Sequence, residues 1–460
     1  MNPSARTFTL ISLIVSTLLL MHQLPSLSVC DVPLRPVNLL SAVLPEPEEA
    51  EIDVPTPTPL PPSAVPNSRK EAIHFQETWP KGVQPIVDYS AGKAGGMEHF
   101  YRQMAQIKAL DRPVRIAYYG DSYIEGDILT GDLRELFQQT YGGNGVGWVD
   151  CGSHILQNRA SIRQKCNGIT EFAAAKKPFD KSRQGISERY FIPEEGAWAK
   201  TSGVRFHPHA ARWTVSTLFF HTPTGLTLQA TSRKGHGFTQ TFDGEAGVQT
   251  AVLTDSTSSI SYTFSHIGAG TSLFGMALES REGVVLDNFS MRASPGLTLA
   301  QVPISLLKDF NRLRPYDLII LHFGLNIATP GNPLSVIRHY ARSMERVVRN
   351  LKEAFPQTSI LIMSVPDRDQ RTQEGLRTMK EVRQLVAFQE QLAANTQVAF
   401  FNFYEAMGGA ESVAALVERG MANKDYTHLN HKGGKELAQR IFPSFKAGIK
   451  NYQQRKERQK

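Results

Sequence analysis

Cysteine is nearly absent from this chain: three in 460 residues, Cys30, Cys151 and Cys166. None has a second Cys or His at the short spacing of a zinc site, so no metal is expected. His207-Pro208-His209 is an isolated pair and reads as loop chemistry. In an exported chain Cys151 and Cys166 are able to pair across a short loop, with Cys30 removed, lipidated or left over. The glycine cluster at 142–147 follows a helical pattern and lacks a Lys-Ser/Thr ending, which excludes a phosphate loop and leaves a turn. No organic cofactor is implied. The net charge of +7 is modest, and part of it sits in residues 450–460 as a solvated basic end. Nothing resembles a nucleic-acid reader.

Long apolar runs are also scarce. The one at residues 8–21, behind Arg6, has the length of a signal h-region and is short for a membrane span. Ser26-Leu27-Ser28 offers small residues at signal-peptidase spacing, whereas Val29 before Cys30 makes a poor lipobox. Residues 1–30 are therefore expected to be a signal peptide or membrane anchor. Residues 31–68 are thick with proline and read as a disordered linker. The chain beyond residue 68 is expected to work in the cell envelope, periplasmic or otherwise outside the cytoplasm.

The stretch 114–140 organises the rest. An apolar, strand-like run at 114–119 meets Gly120-Asp121-Ser122, and Leu129, Leu133, Leu136 and Phe137 then recur at helical spacing. Ser122 is thus expected where a strand gives way to a helix, at the sheet edge where open α/β folds place ligands. Near the other end, Asp425 stands three residues before His428, ahead of a helical pattern. An Asp orienting a His that faces a Ser is the arrangement of acyl transfer. Between them, the buried-looking strand at 318–323 ends in Gly324-Leu325-Asn326, whose amide suits an oxyanion donor. Ser294-Pro295-Gly296 follows another apolar run and adds a candidate backbone N–H.

In this order the four pieces resemble the SGNH/GDSL hydrolase family. The resemblance implies Ser122 as nucleophile, His428 as general base and Asp425 as its orienting group. It also implies an oxyanion hole from the N–H groups of Ser122 and Gly296 and the Asn326 side chain. Ile327 stands where family members often carry Asp or Glu.

Residues 149–282 change character: short β-rich runs at 213–220, 225–230, 249–253, 259–264 and 272–278 are punctuated by Gly, Ser, Thr and Asn. The region reads as an all-β, sandwich-like insert, and its position is similar to that of the β domain in peptidoglycan O-acetylesterases, a resemblance that makes it a candidate carbohydrate-binding domain. Of its aromatics, Trp198, Trp213, Phe219 and Phe220 are expected in the core rather than on a sugar. Alternation of strands (284–291, 317–323, 359–365, 398–403) with helices (97–110, 302–312, 334–355, 371–395, 410–419, 432–452) indicates an α/β domain. The expected fold is an SGNH, flavodoxin-like, three-layer parallel sheet carrying the insert. Its parts are 69–148, the β insert 149–282, 283–452 and a basic tail 453–460.

The expected activity is that of an exported serine esterase that removes O-acetyl groups from an envelope glycan, peptidoglycan or another polysaccharide. The alternatives are an O-acetyltransferase working beside a membrane-bound O-acyltransferase, and a non-catalytic glycan-binding protein.

Overall fold

The computed structural model describes residues 75–459, together with Thr9, Thr17 and a short antiparallel pair, Ser28–Val29 with Val32–Pro33. Apart from those few positions, the expected leader at 1–30 and linker at 31–68 lie outside the described residues. Among the described residues no helix is long and apolar enough to cross a membrane.

One sheet has six strands. In chain order they are β1 (Ile86–Asp88), β2 (Val114–Gly120), β3 (Val284–Ser290), β4 (Leu318–His322), β5 (Ser359–Met363) and β6 (Ala399–Phe401). Their spatial order is β3-β2-β4-β5-β6-β1. The first five neighbours run parallel and β1 closes the edge antiparallel to β6. Strands β4 and β5 are buried at every residue, as two helical layers require. One layer packs Glu98–Ala105, Thr130–Tyr141, Phe403–Met407 and His431–Gln459 together; the other packs Ile304–Leu313, Leu334–Ala354 and Lys380–Thr396. The sheet is therefore mixed, not wholly parallel. Three residues of edge strand carry too little periodicity to be read from sequence.

Two expected elements differ. The helix read at 371–395 begins only at Lys380, because Asp369–Thr372 and Gly375–Thr378 form a hairpin instead. That front segment has no apolar stripe to bury, and Gly375 takes a left-handed φ of 110° at its turn. The basic tail is no separate tail either: the last helix continues to Gln459, with Arg455 and Lys456 both paired to Glu98.

The second sheet has nine antiparallel strands, from Gly147–Val149 to Ser272–Glu279. They form one branched network rather than two separate sheets. Gln249–Thr257 and Leu226–Ser232, well separated in strand order, come together, so the sheet curls round a single core that includes Trp213, Phe220, Leu228 and Tyr262. Trp213, Phe219 and Phe220 are fully buried and Trp198 is half-buried. Cys151 and Cys166 are both free thiols, the first buried and the second exposed.

Buried charge fastens this sheet to the α/β part. Arg159 reaches from the start of the insert to Asp127, which also accepts from Arg134 of Thr130–Tyr141 at 2.8 Å. Glu279 on the last insert strand pairs with Arg115 of β2 at 2.7 Å and with Arg314 at 2.8 Å. Arg314 in turn meets Asp287 of β3. Replacing such ions with apolar side chains is often neutral or stabilising, but leaving one unpaired is costly.

Glu188 belongs to the same seam. It is 1% exposed, takes a left-handed φ of 59°, and accepts from Thr298 beyond β3. Burial raises its carboxyl to about 7, against the Thr298 hydrogen bond and the Arg189 charge. The folded chain therefore holds this proton where the unfolded chain, near the ordinary value of 4.5, has lost it. Stability falls as pH rises through that window. Glu188→Gln is expected to match the wild type near pH 4 and to exceed it by up to about 3 kcal/mol above pH 7. Urea unfolding at both pH values checks this; a gain that does not change with pH would refute it.

Candidate active site

Four segments meet beyond the carboxyl edge of the six-stranded sheet: those following β2, β3 and β4, and the loop before the last helix. Ser122 Oγ lies 2.9 Å from His428 Nε2, and His428 Nδ1 lies 2.8 Å from Asp425 Oδ2. The other carboxylate oxygen, Oδ1, accepts from the backbone N–H groups of Thr427 and His428, both at 3.0 Å. This local turn is what an Asp favours in a tight loop. Asn423 N–H donating to His428 O, and Asn430 N–H to Met421 O, pin the loop from both sides. Burial pushes the Asp425 carboxyl up, but the hydrogen bonds from His428 and Thr427 outweigh it and hold it below the ordinary range. With Asp425 ionised, His428 donates through Nδ1 and presents Nε2 as the acceptor for the Ser122 hydroxyl.

Ser122 does not open the long helix directly. It begins a 3-10 run, Ser122–Asp127, in which Asp121 caps the backbone N–H of Tyr123. The helix Thr130–Tyr141 starts only after kinks at Glu125 and Gly126. Asp121 is 1% exposed, and its second oxygen accepts from Asn326 Nδ2 at 3.3 Å. Burial lifts its carboxyl to about 6, opposed by the Tyr123 N–H and the nearby His428.

Asn326 lines the cleft with Ser122 and His428, its amide held by Asp121 and by Ser294 O at 3.1 Å. To serve an oxyanion at Ser122, the amide would have to turn or share one of those hydrogens. Asn326→Ala is expected to lower kcat by about 10²–10³-fold with little change in fold, measured as aryl-acetate turnover alongside circular dichroism. An effect confined to KM would count against the role.

Gly296 offers the site no free N–H. Its N–H donates to Ser294 Oγ at 3.0 Å and it does not line the cleft. A Cβ there would fall 2.7 Å from the Phe323 ring, so glycine serves close packing in a turn at φ 84°. Ala293 lines the cleft instead. Its φ of 61° is strained for alanine, and its N–H has no protein acceptor among the described residues. The resemblance pointed to a glycine, and the turn after β3 presents its neighbour three residues earlier.

Arg368 also escaped the sequence reading. It donates to Leu325 O and Ala328 O at 3.2 and 3.0 Å, on either side of Asn326, and its charge faces Asp425. No short motif marks an arginine that works through backbone carbonyls. The cleft itself, about 530 Å³, is bordered by Asn158, Asn423, His431 and the Arg292–Glu125 ion pair. Among the described residues no group of three His, Cys, Asp or Glu is placed to hold a metal ion.

Chemically, His428 removes the Ser122 proton as Oγ attacks an ester carbonyl. Ser122, Ala293 and Asn326 line the same cleft, where their N–H groups are the candidate donors to the oxyanion. His428 then protonates the leaving alcohol, and water repeats the sequence on the acyl-serine.

Residues 257–435 match the family described as GDSL-like lipase/acylhydrolase. Ser122 precedes that stretch, on the far side of the insert, and the fold returns it to the matched His428. Among solved structures, a peptidoglycan O-acetylesterase is similar over 79% of this chain and 99% of its own, at 20% identity and a TM-score of 0.66, a likeness of fold. A family two carbohydrate esterase from Cellvibrio japonicus aligns over 63% of this chain and 99% of its own, at 10% identity and a TM-score of 0.26. No curated protein sequence matches. The matched stretch and the shared fold together mark residues 257–435 as part of a GDSL-like lipase/acylhydrolase domain with an SGNH hydrolase fold.

Proposed function

We propose that this chain is an exported serine acetylesterase that removes O-acetyl groups from a cell-envelope glycan. The observation that carries the reading is the continuous Ser122–His428–Asp425 relay opening into a polar cleft. A hydrogen-bonding wall of Asn158, Asn423, Asn326 and His431 suits a hydroxyl-rich sugar better than a lipid tail. Export rests on the composition of residues 1–68. Peptidoglycan is favoured among glycans because a structural neighbour of like fold is a peptidoglycan O-acetylesterase.

Acetate release from O-acetylated peptidoglycan by the purified chain tests the reading. Release that disappears in Ser122→Ala supports it. Turnover of a small acetyl ester with no release from peptidoglycan moves the substrate to another glycan. Acetyl transfer that accelerates when sugar acceptors are added makes the chain a transferase, and silence on both substrates from folded protein ends the enzyme reading.

A further inference from the structure

Among the described residues only Phe206, Val252 and Val336 are large hydrophobic side chains left exposed. Phe206 is 51% exposed, which for an aromatic packed on a cleft-lining histidine asks for an explanation. It stands on the insert, in the loop between Arg189–Gly203 and Trp213–His221. Its ring lies 5.2 Å from that of His431, which borders the cleft, and edge-on to His207 at 4.8 Å. His207 is itself buried and fixed by Ser161 Oγ at 3.0 Å, with Asp132 3.4 Å away. The inner side of Phe206 is therefore braced while much of the ring remains open.

An aromatic ring held in this way offers a flat apolar surface at little further entropic cost. Pyranose rings have one face of C–H groups that stack on such a surface, and a rim of hydroxyls that need donors and acceptors. Asn158, also from the insert, and Asn423, from the loop carrying the catalytic His, line the same cleft as His431 and supply those. We infer that Phe206 and His431, with Asn158 and Asn423, form a sugar subsite that seats the pyranose bearing the ester, so that the insert contributes directly to substrate selection. The inference rests on the proposed glycan esterase activity and names where its sugar binds.

The test compares kcat/KM for O-acetylated peptidoglycan fragments with kcat/KM for 4-nitrophenyl acetate, which has no sugar to seat. Phe206→Ala is expected to lower the glycan-to-aryl ratio by about tenfold or more, mainly through KM. Phe206→Trp is expected to retain the wild-type ratio, because a larger flat ring keeps the surface. Val252→Ser, an equally exposed position elsewhere on the insert, serves as the control and should alter neither substrate. A ratio unmoved by Phe206→Ala, or equal losses on both substrates, overturns the subsite while leaving the esterase intact. Wild-type turnover of the aryl ester with no release from peptidoglycan or from other O-acetylated polysaccharides overturns the glycan assignment and the subsite with it.

Discussion

Replacing Ser122 by Ala is expected to lower acetyl-ester turnover by about 10⁴–10⁶-fold, with folding unaffected. The hydroxyl paired with His428 Nε2 is the atom that forms the acyl bond, and its removal leaves the cleft in place. That alone gives a small residual rate over water. His428→Ala is expected to cost about as much, since without Nε2 at 2.9 Å nothing takes the Ser122 proton. The two together should be little worse than either, because they act as one unit. Burst and steady-state rates on 4-nitrophenyl acetate measure all three. A Ser122→Ala variant that keeps more than about one hundredth of wild-type turnover would place the nucleophile elsewhere.

Asp127→Asn carries the largest expected loss of stability, about 3–5 kcal/mol. The carboxylate is fully buried between Arg134 and Arg159, and an amide leaves both guanidinium charges without a counter-ion. Burial alone pushes the Asp127 carboxyl up, yet the two arginines overcome it and hold it far below the ordinary value of 3.8. The folded pKa lies below the unfolded one, so this contribution is complete above about pH 4 and is lost as pH falls further. Urea unfolding at pH 7 should show the deficit, and it should shrink in acid. Because Asp127 ends the 3-10 run that starts at Ser122, esterase activity should also lose thermal tolerance. A deficit under about 1 kcal/mol at pH 7 would mean that water reaches the arginines and that the seam is not dry. Converting Arg159 to Met in the same chain should recover part of the loss, by removing one unpaired charge.

Much of the catalytic centre was legible because its signals are local. Gly120-Asp121-Ser122 and Asp425-x-x-His428 each sit on a few consecutive residues, and apolar strand runs such as 318–322 announce where such loops begin. The long-range parts were not. Ala293 is distinguished by backbone conformation, which alanine does not advertise, and Gly296 looked apt because glycine often marks close approach. Arg368 and Phe206 act through partners distant in the chain. In the insert, Arg189–Gly203 and Ile162–Ala173 were missed because their side chains alternate weakly, with charged residues at several positions. Their pairing is settled by neighbouring strands, not by their own pattern.

The two halves of the proton relay are separated by 306 residues, with the whole nine-stranded sheet between them. Strand β2, which leads into Ser122, has as its parallel neighbours only β3 and β4, both made after the insert. During synthesis, then, the serine waits: its strand has no parallel partner until residue 284 is available, and its base follows 306 residues behind it. Non-local closure of this kind is slow. Any fragment released before His428 is expected to be inert towards esters, so the chain has a built-in delay between making its nucleophile and arming it.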